Sequence, residues 1–291
     1  MIRLARTNRS HIAQWWWTVD KLTLFGLFSL MLIGGVLALA ASPAVAMRIH
    51  LPPFHFVYRQ LFFFMPAVAT IIGVSLLDVR QVRRLAALVF VTAFTLMVLT
   101  LLIGPEVKGA HRWLQIGPLA IQPSEFVKPS FVVLAAWMFA EAQRTPGFPG
   151  TLIALALYGM VVSVLAMQPD FGQLMLVTLV FGALFFMAGL SWRWIGALAI
   201  IALVGAVAAY SLSPHVTSRV DRFLNPESGD TYQIDRALDA FHTGGVFGRG
   251  PGEGEVKRIL PDAHTDFIFA VAAEEFGIIA GLIIIGMFSF I

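Results

Sequence analysis

The sequence lacks cysteine and is poor in charged residues. With 0 cysteines in 291 residues, disulfide bonds and thiolate metal sites are excluded. Charged residues make up 13% and hydrophobic residues 58% of the chain, whereas soluble proteins have about a quarter charged and about half apolar residues. The composition therefore excludes an ordinary soluble domain and indicates an integral membrane protein.

Nucleotide and zinc-protease motifs are also missing. The glycines between Gly248 and Gly254 look like a phosphate loop, but no placement satisfies G-x-G-x-x-G and there is no G-K-[ST]. We interpret this stretch as flexible backbone that shapes a cleft. No H-E-x-x-H is present, and His264 with Asp266 are too few ligands for zinc. A loosely held Mg²⁺ or Mn²⁺ that bridges a carboxylate and a diphosphate is compatible with the sequence.

Eight apolar runs predict membrane-spanning helices, each of which needs about 20 residues. We therefore predict an all-α, polytopic integral membrane helix bundle. It would have a tail at 1–21 and a single transmembrane domain at 22–291, with a large extracytoplasmic loop at 213–266 between spans seven and eight. The runs are 22–43, 57–77, 85–103, 125–141, 151–167, 173–189, 194–212 and 267–290.

The short loops predict the orientation of the chain. Arginines in the N-terminal tail and in alternate short loops indicate that these loops and both chain ends are cytoplasmic. The opposite side, which includes 104–124 and 213–266, is also basic. Lysine and arginine are usually enriched in cytoplasmic loops, so basic residues on the opposite side indicate an anionic ligand such as a phosphate or a lipid headgroup. The spread of these residues along the loops argues against nucleic acid as a partner.

Acidic residues lie at the start of the last span and within it. Acids at membrane depth are unfavourable, so Asp266, Glu274 and Glu275 are candidates for a functional site. The alternative for Asp266 is a helix N-cap. We interpret Asp266 as the catalytic carboxylate and Glu274 as a deeper supporting group, and we leave Glu275 without a role.

A second group of candidates lies before span four. Arg112 has a planar fork suited to phosphate oxygens, and Trp113 offers a flat face to a sugar ring or lipid head. Ser124 is a candidate N-cap. Glu125 and Lys128 are three residues apart, so they share a helix face and can pair. The alternative is that this group only caps the helix and forms a structural ion pair.

Three further residues are candidates for substrate contacts. Asp170 lies in a tight turn and could instead cap the following helix. Lys257 follows the glycine stretch and could contact a phosphate, and His264 lies two residues before Asp266.

Five motifs together resemble the SEDS family (shape, elongation, division and sporulation). The resemblance covers nearly the whole chain. The A-H-T-D-F-I-F form at 263–269 and the tryptophans at 15–17 resemble the division-type more than the elongation-type members. His111 stands where the family usually has the first of two arginines. The motifs are G-A-H-R-W-L at 109–114, Q-P-S-E at 122–125, Q-P-D-F-G at 168–172, Y-Q at 232–233 and L-P-D-A-H-T-D-F-I-F-A-V-A-A-E-E-F-G at 260–277.

The resemblance implies a peptidoglycan glycosyltransferase that polymerises lipid II during septal cell-wall synthesis. Asp266 would be the general base, Arg112, Lys128 and Lys257 would neutralise the undecaprenyl diphosphate, and Glu125 would position Lys128. A class B penicillin-binding protein and other divisome proteins would be partners in the bacterial inner membrane, with the active site on the periplasmic face. The alternatives are a flippase for the lipid-linked precursor and a scaffold without catalysis.

The family also implies a different number of spans. Its members generally have ten spans, and eight are evident in this sequence. We therefore expect either that the sequence is a fragment or that the last two spans are lost.

Overall fold

The computed structural model describes residues 11–106, 110–117, 119–189 and 232–291, with isolated positions between 196 and 221. The described residues are mostly helical, as predicted. A small antiparallel hairpin, which the sequence did not predict, pairs β1 (Leu114–Ile116) with β2 (Leu119–Ile121). The helices are α1 (His11–Thr18), α2 (Lys21–Arg48), α3 (His55–Ser75), α4 (Val79–Ile103), α5 (Ser124–Arg144), α6 (Gly150–Met167), α7 (Phe171–Met187), α8 (Tyr232–Gly244) and α9 (Ile268–Phe290).

The helices confirm a polytopic membrane protein. Five of them, α2, α3, α4, α6 and α9, are long and apolar enough to cross a membrane, and α7 is a shorter apolar helix. The fourth predicted run appears as α5, which carries four charged residues and is not among these five helices. The seventh run, 194–212, falls largely outside the described residues, so the count of eight spans stays a prediction.

Side-chain caps explain where two helices begin. The Asp20 carboxylate accepts hydrogen bonds from the N–H groups of Leu22 and Thr23, and α2 begins there. These hydrogen bonds, led by the one from the Thr23 hydroxyl, lower the pKa of Asp20. Asp78 and Gln81 form a capping box at the start of α4, which satisfies two free backbone donors. The cap extends α4 beyond its apolar run.

The chain divides into two compact units. Unit 1 comprises Met1–Leu76 with Asp221–Ile291, and unit 2 comprises Leu77–Val220. In unit 1, α8 and α9 pack together, and α2 packs against both α3 and α9. Small residues such as Ala41, Ala240 and Ala270 are buried in its core, which allows close helix packing.

Unit 2 is built from α4 to α7 around an aromatic core. Phe131, Phe181 and Phe185 are fully buried there. The Tyr158 ring stacks on Phe181 with 4.4 Å between ring centroids. The same unit carries the β1–β2 hairpin.

The predicted loop 213–266 contains more structure than its sequence indicated. Its described part, from 232 on, includes α8 and a 3-10 helix at Val256–Arg258. Arg219 and Arg222, two of the basic residues predicted to lie in this loop, fall outside the described residues, as does Lys108.

Candidate functional site

Asp266 lies just before α9 but does not cap it. The helix begins at Ile268 with Phe267 at the cap position, and no side chain accepts a hydrogen bond there. The interpretation of Asp266 as an N-cap is therefore wrong. Its side chain is exposed, and its carboxylate forms no hydrogen bond or ion pair with the described part of the chain.

The segment before Asp266 is held firmly although it is not helical. Leu260 and Ala263 are fully buried. The Arg48 guanidinium donates to the Leu260 carbonyl oxygen at 2.8 Å. The Asp262 carbonyl oxygen accepts from the N–H groups of Thr265 at 3.0 Å and Phe267 at 3.3 Å. A fixed backbone therefore presents Asp266 to the surroundings of unit 1.

His264 packs against an aromatic ring beside this segment. Its ring centroid lies 3.9 Å from that of Phe56, and its Nδ1 is buried with no hydrogen-bond partner among the described residues. Burial is the main cause that lowers the pKa of His264. The carboxylates of Asp262 and Asp266 act in the opposite direction. The neutral imidazole is thereby favoured at neutral pH.

Glu274 is a buried acceptor for backbone groups. Its Oε1 accepts from the N–H groups of Glu255 and Val256, both at 2.7 Å, and its Oε2 accepts from the N–H of Lys257 at 3.0 Å. The residue is 0% exposed. A carboxylate in α9 thus caps the 3-10 helix, which agrees with a supporting role. Its assignment as a substrate contact stays a prediction.

Lys257 forms a buried ion pair with Glu275. Its Nζ also donates to the carbonyl oxygens of Ala40 at 3.1 Å and Gly252 at 3.3 Å. An ammonium group has three donors, and all three are engaged inside unit 1. This geometry favours a structural role for Lys257 over the predicted phosphate contact, and it gives Glu275 a partner that the sequence did not reveal.

The glycine stretch is pinned to α9. The N–H groups of Arg249 and Gly250 donate to the carbonyl oxygens of Glu274 and Glu275, both at 3.0 Å. A Cβ added at Gly248 would collide with the Glu275 carbonyl oxygen. Glycine is therefore needed here for close packing, which differs from the predicted flexible backbone shaping a cleft.

In unit 2, Arg112 holds the turn before α7. Its Nε donates to the Gln168 carbonyl oxygen at 3.1 Å, and its Nη2 donates to the Pro169 carbonyl oxygen. Its Nη1 lies 3.6 Å from Oδ1 of Asp170. The guanidinium group therefore donates hydrogen bonds to the backbone of the turn, and these contacts use only some of its five N–H donors.

Asp170 caps α7, as the structural alternative predicted. Its Oδ1 accepts from the N–H of Gln173 at 3.4 Å, and its Oδ2 accepts from Nε2 of Gln122, also at 3.4 Å. The carboxylate is buried. Asp170 thus links the ends of three segments, while a direct contact with substrate stays a prediction.

The predicted pair of Glu125 and Lys128 is present. Lys128 Nζ lies 2.8 Å from Oε2 of Glu125, and Nε2 of Gln173 donates to Oε1 of Glu125 at 3.0 Å. Gln173 is a member of this group that the sequence did not single out, because the 48 positions between the two residues leave no local signal. The prediction of Ser124 as an N-cap is wrong, since Ser124 is the first helical residue and its Oγ is buried without a partner among the described residues.

Two neighbouring residues complete the description of unit 2. Trp113 is half-buried. His111, which stands at the position of an arginine in the family motif, shares a hydrogen bond of 2.7 Å between its Nδ1 and the Gly104 carbonyl oxygen. His111 therefore ties the end of α4 to the segment that carries Arg112.

The described residues contain no group of three or more His, Cys, Asp or Glu side chains that could hold a metal ion. A cation bound to Asp266 would thus depend on the substrate for most of its ligands.

Comparisons with known proteins give consistent matches. The model of the family described as "Cell cycle protein", which is named for FtsW, RodA and SpoVE, matches residues 21–291. The "Probable peptidoglycan glycosyltransferase FtsW" of Caulobacter vibrioides is 46% identical over 288 residues, which cover 99% of this chain and 74% of that protein. The protein of the same name from Coxiella burnetii is 32% identical, with 94% of this chain and 75% of that protein covered.

Solved structures have the same fold. A chain of a peptidoglycan synthase complex, described as coordinating polymerization and crosslinking, superposes with a TM-score of 0.69 at 26% identity, covering 94% of this chain and 76% of that one. The rod shape determining protein RodA of Thermus thermophilus superposes with a TM-score of 0.63 at 23% identity, covering 94% and 73%.

Proposed function

The chain belongs to the family of cell cycle proteins that includes FtsW, RodA and SpoVE, and from that premise we propose that it is a peptidoglycan glycosyltransferase that polymerises lipid II. The observation that carries the proposal is Asp266. Its carboxylate is exposed at the start of a helix able to span the membrane, on a segment fixed by buried residues. An acid in this position is available to a substrate at the boundary between water and lipid.

Asp266 acts as the general base. The 4-hydroxyl oxygen of one saccharide unit forms a bond to the anomeric carbon of another, and the bond from that carbon to the diphosphate oxygen breaks. The proton of the attacking hydroxyl passes to Asp266, and undecaprenyl diphosphate leaves with the bonding electrons. A positioned base of this kind contributes typically 10²- to 10⁴-fold to a rate.

Arg112 and Lys128 neutralise the charge that grows on the leaving diphosphate. Cationic donors fixed before the reaction stabilise such charge without further reorganisation. The contact at 2.8 Å with Glu125 supports a fixed position for the Lys128 ammonium group. We leave Lys257 out of this group because its donors are engaged within unit 1.

A divalent cation would assist the same step. Asp266 would help to hold Mg²⁺ or Mn²⁺, which would supply further charge stabilisation. Since the described residues offer few ligands, we expect its affinity to depend on the presence of lipid II. Polymerisation should then fall on addition of EDTA and recover when Mg²⁺ or Mn²⁺ is restored.

The protein works in the bacterial inner membrane, with its N-terminal tail cytoplasmic and Asp266 on the periplasmic face at the division septum. The basic residues kept on that side of the predicted topology support this orientation. The similarity to a chain of a peptidoglycan synthase complex supports a partner that crosslinks the new strand, namely a class B penicillin-binding protein within the divisome.

A lipid II flippase and a scaffold without catalysis are the alternatives, and the names of the similar proteins do not favour either one. To distinguish them, the purified chain is reconstituted in liposomes with lipid II and a crosslinking-deficient partner. Glycan strands formed by the wild-type chain and lost in Asp266→Asn support the enzyme. Transfer of labelled lipid II across the bilayer without strand formation would support the flippase.

A further inference from the structure

Two helical hydrogen bonds are missing within α9, and backbone groups of the turn after α8 (residues 245–250) bind the groups left free. Gly277 interrupts α9 with φ 82° and ψ 176°, which is a conformation that favours glycine. In an unbroken helix the N–H groups of Ile278 and Ile279 would donate to the carbonyl oxygens of Glu274 and Glu275. The break separates these four groups.

The turn provides each separated group with a new partner. The carbonyl oxygens of Glu274 and Glu275 accept from Arg249 and Gly250, as described above. The N–H of Ile278 donates to the Gly245 carbonyl oxygen at 3.0 Å, and the N–H of Ile279 donates to that of Val246 at 3.4 Å. Each of the four backbone groups separated by the break in α9 is therefore hydrogen-bonded to a backbone group of the turn.

The break lies well inside a helix that can span a membrane. Gly277 comes nine residues after the first residue of α9, which is about 14 Å along the axis. The polar interface on each side of a bilayer is only about 5–8 Å thick. Irregular backbone is tolerated beyond that depth only where its polar groups have partners, and the four hydrogen bonds meet this condition.

The side chains at the tip of the turn are apolar and exposed. Phe247 is 82% exposed and Val246 is 56% exposed. On α8, Ile234 and Leu238 are four residues apart, lie on one face and are also exposed. The opposite face of α8, which includes Ala240, packs against α9 in the core of unit 1. The exposed side of α8 also carries Asp235 and His242, so the uniformly apolar exposed surface is confined to the tip of the turn.

The turn becomes less polar from Arg249 towards its tip at Val246, and the neighbouring part of α9 becomes less polar in the same direction. Arg249, which pairs with Glu255 at 3.1 Å, is bonded through its backbone to Glu274, whereas Val246 is bonded to Ile279 further along the helix. The charged residues are thus level with the acids of α9, and the apolar tip is level with its isoleucines. This gradient is typical of a segment that crosses from the interface into hydrocarbon.

We propose that the turn at residues 245–250 is re-entrant: it dips into the membrane beside α9, and its tip contacts lipid acyl chains. The contact surface consists of Val246 and Phe247. Lipid is the occupant because Val246 and Phe247 have no hydrogen-bonding side-chain groups, and because the tip is bonded level with Ile278 and Ile279, which are exposed on a helix able to span the membrane. The proposal is independent of the glycosyltransferase activity, and it moves part of the predicted extracytoplasmic loop into the bilayer.

The absence of cysteine makes a direct test simple, because any single cysteine is unique. Phe247→Cys is compared in proteoliposomes with two controls, Leu282→Cys on the exposed apolar side of α9 and Glu253→Cys on the exposed polar side of the turn. A thiol in hydrocarbon has a raised pKa and reacts slowly. We therefore expect a membrane-impermeant maleimide to label Phe247→Cys and Leu282→Cys roughly tenfold more slowly than Glu253→Cys.

Spin labels at the same positions separate lipid from protein as the occupant. A lipid-facing label at 247 should collide readily with oxygen and poorly with a water-soluble nickel chelate, as at 282. Access to the nickel chelate at 247 equal to that at 253 would overturn the proposal, and so would protection from both reagents, which indicates a protein contact. If Phe247→Cys does not accumulate, Val246→Cys takes its place with the same expectations.

Discussion

Glu275 holds the ammonium group of Lys257 in an ion pair in the interior of unit 1, although the two residues are 18 positions apart. Lys257 is 5% exposed and Glu275 is 1% exposed. Through the same ammonium group, α2, the glycine stretch and α9 are joined. The pair therefore fixes the segment that leads to Asp266.

Replacing one residue of the Lys257–Glu275 ion pair should lower the free energy of unfolding more than replacing both. Lys257→Met leaves the carboxylate of Glu275 buried without its partner, which we expect to lower the free energy of unfolding by about 3–5 kcal/mol. In Lys257→Met with Glu275→Met no buried charge of this pair remains, so the loss should be smaller than that of either single variant. Thermal unfolding in detergent measures both.

The same variants test whether Lys257 contacts the diphosphate. If it has only the structural role, the double variant should bind lipid II with the wild-type Kd. A large increase in that Kd, together with a recovered melting temperature, would show that Lys257 is a substrate contact after all.

Replacing Gly277 by alanine should destabilise the protein, whereas the same replacement of Gly286 in α9 should not. Alanine at 277 would have to adopt φ 82°, with a strain of about 1–3 kcal/mol, and its Cβ would collide with the Val246 carbonyl oxygen. We expect Gly277→Ala to lower the melting temperature and to release the turn. Gly286→Ala is the control, because a Cβ there meets nothing within 4 Å. Equal stability of the two variants would contradict this account.

Arg112 should not be replaceable by lysine. A lysine has no planar fork, so it cannot donate to the Gln168 and Pro169 carbonyl oxygens together. Since hydrogen bonds from charged groups contribute about 1.5–3 kcal/mol, we expect Arg112→Lys to unfold at a clearly lower temperature. The matched control is Arg84→Lys on the exposed surface of α4, which should melt like the wild type.

His264 should make stability depend on pH. Because its pKa is lowered in the folded chain, the unfolded chain binds its proton more readily, and stability rises with pH between the lowered pKa and about 6.5. The stabilisation is complete above the unfolded value and is lost as the pH falls through the folded value. His264→Gln should therefore melt with a smaller decrease below pH 6.5 than the wild type. Parallel melting curves for the two proteins would show that His264 does not contribute.

The sequence predicted the spans well because apolar length is a local property. The last run was predicted at 267–290 and α9 is Ile268–Phe290. The third run began later than α4 because the first turn of α4 is charged and its start depends on the capping box of Asp78. The turn of Asp170 and the pairing of Glu125 with Lys128 were also predictable, since each involves residues a few positions apart.

The contacts that join distant segments could not be predicted in the same way. Glu274 and the backbone of Val256 are 18 positions apart, and Arg112 and Gln168 are 56 positions apart. No periodicity or spacing relates such residues. For the same reason α8, whose charged residues resemble those of a loop, was not recognised as the partner of α9.

The central claim is that Asp266 is the general base, and the most direct measurement is the rate of lipid II polymerisation by Asp266→Asn. The control is Asp262→Asn, an exposed position with φ 49° that asparagine also tolerates. We expect Asp266→Asn to lose about 100-fold or more of the rate while it keeps the wild-type melting temperature and still binds lipid II. Asp262→Asn should polymerise normally. A purified Asp266→Asn protein that polymerises lipid II at the wild-type rate would contradict the account.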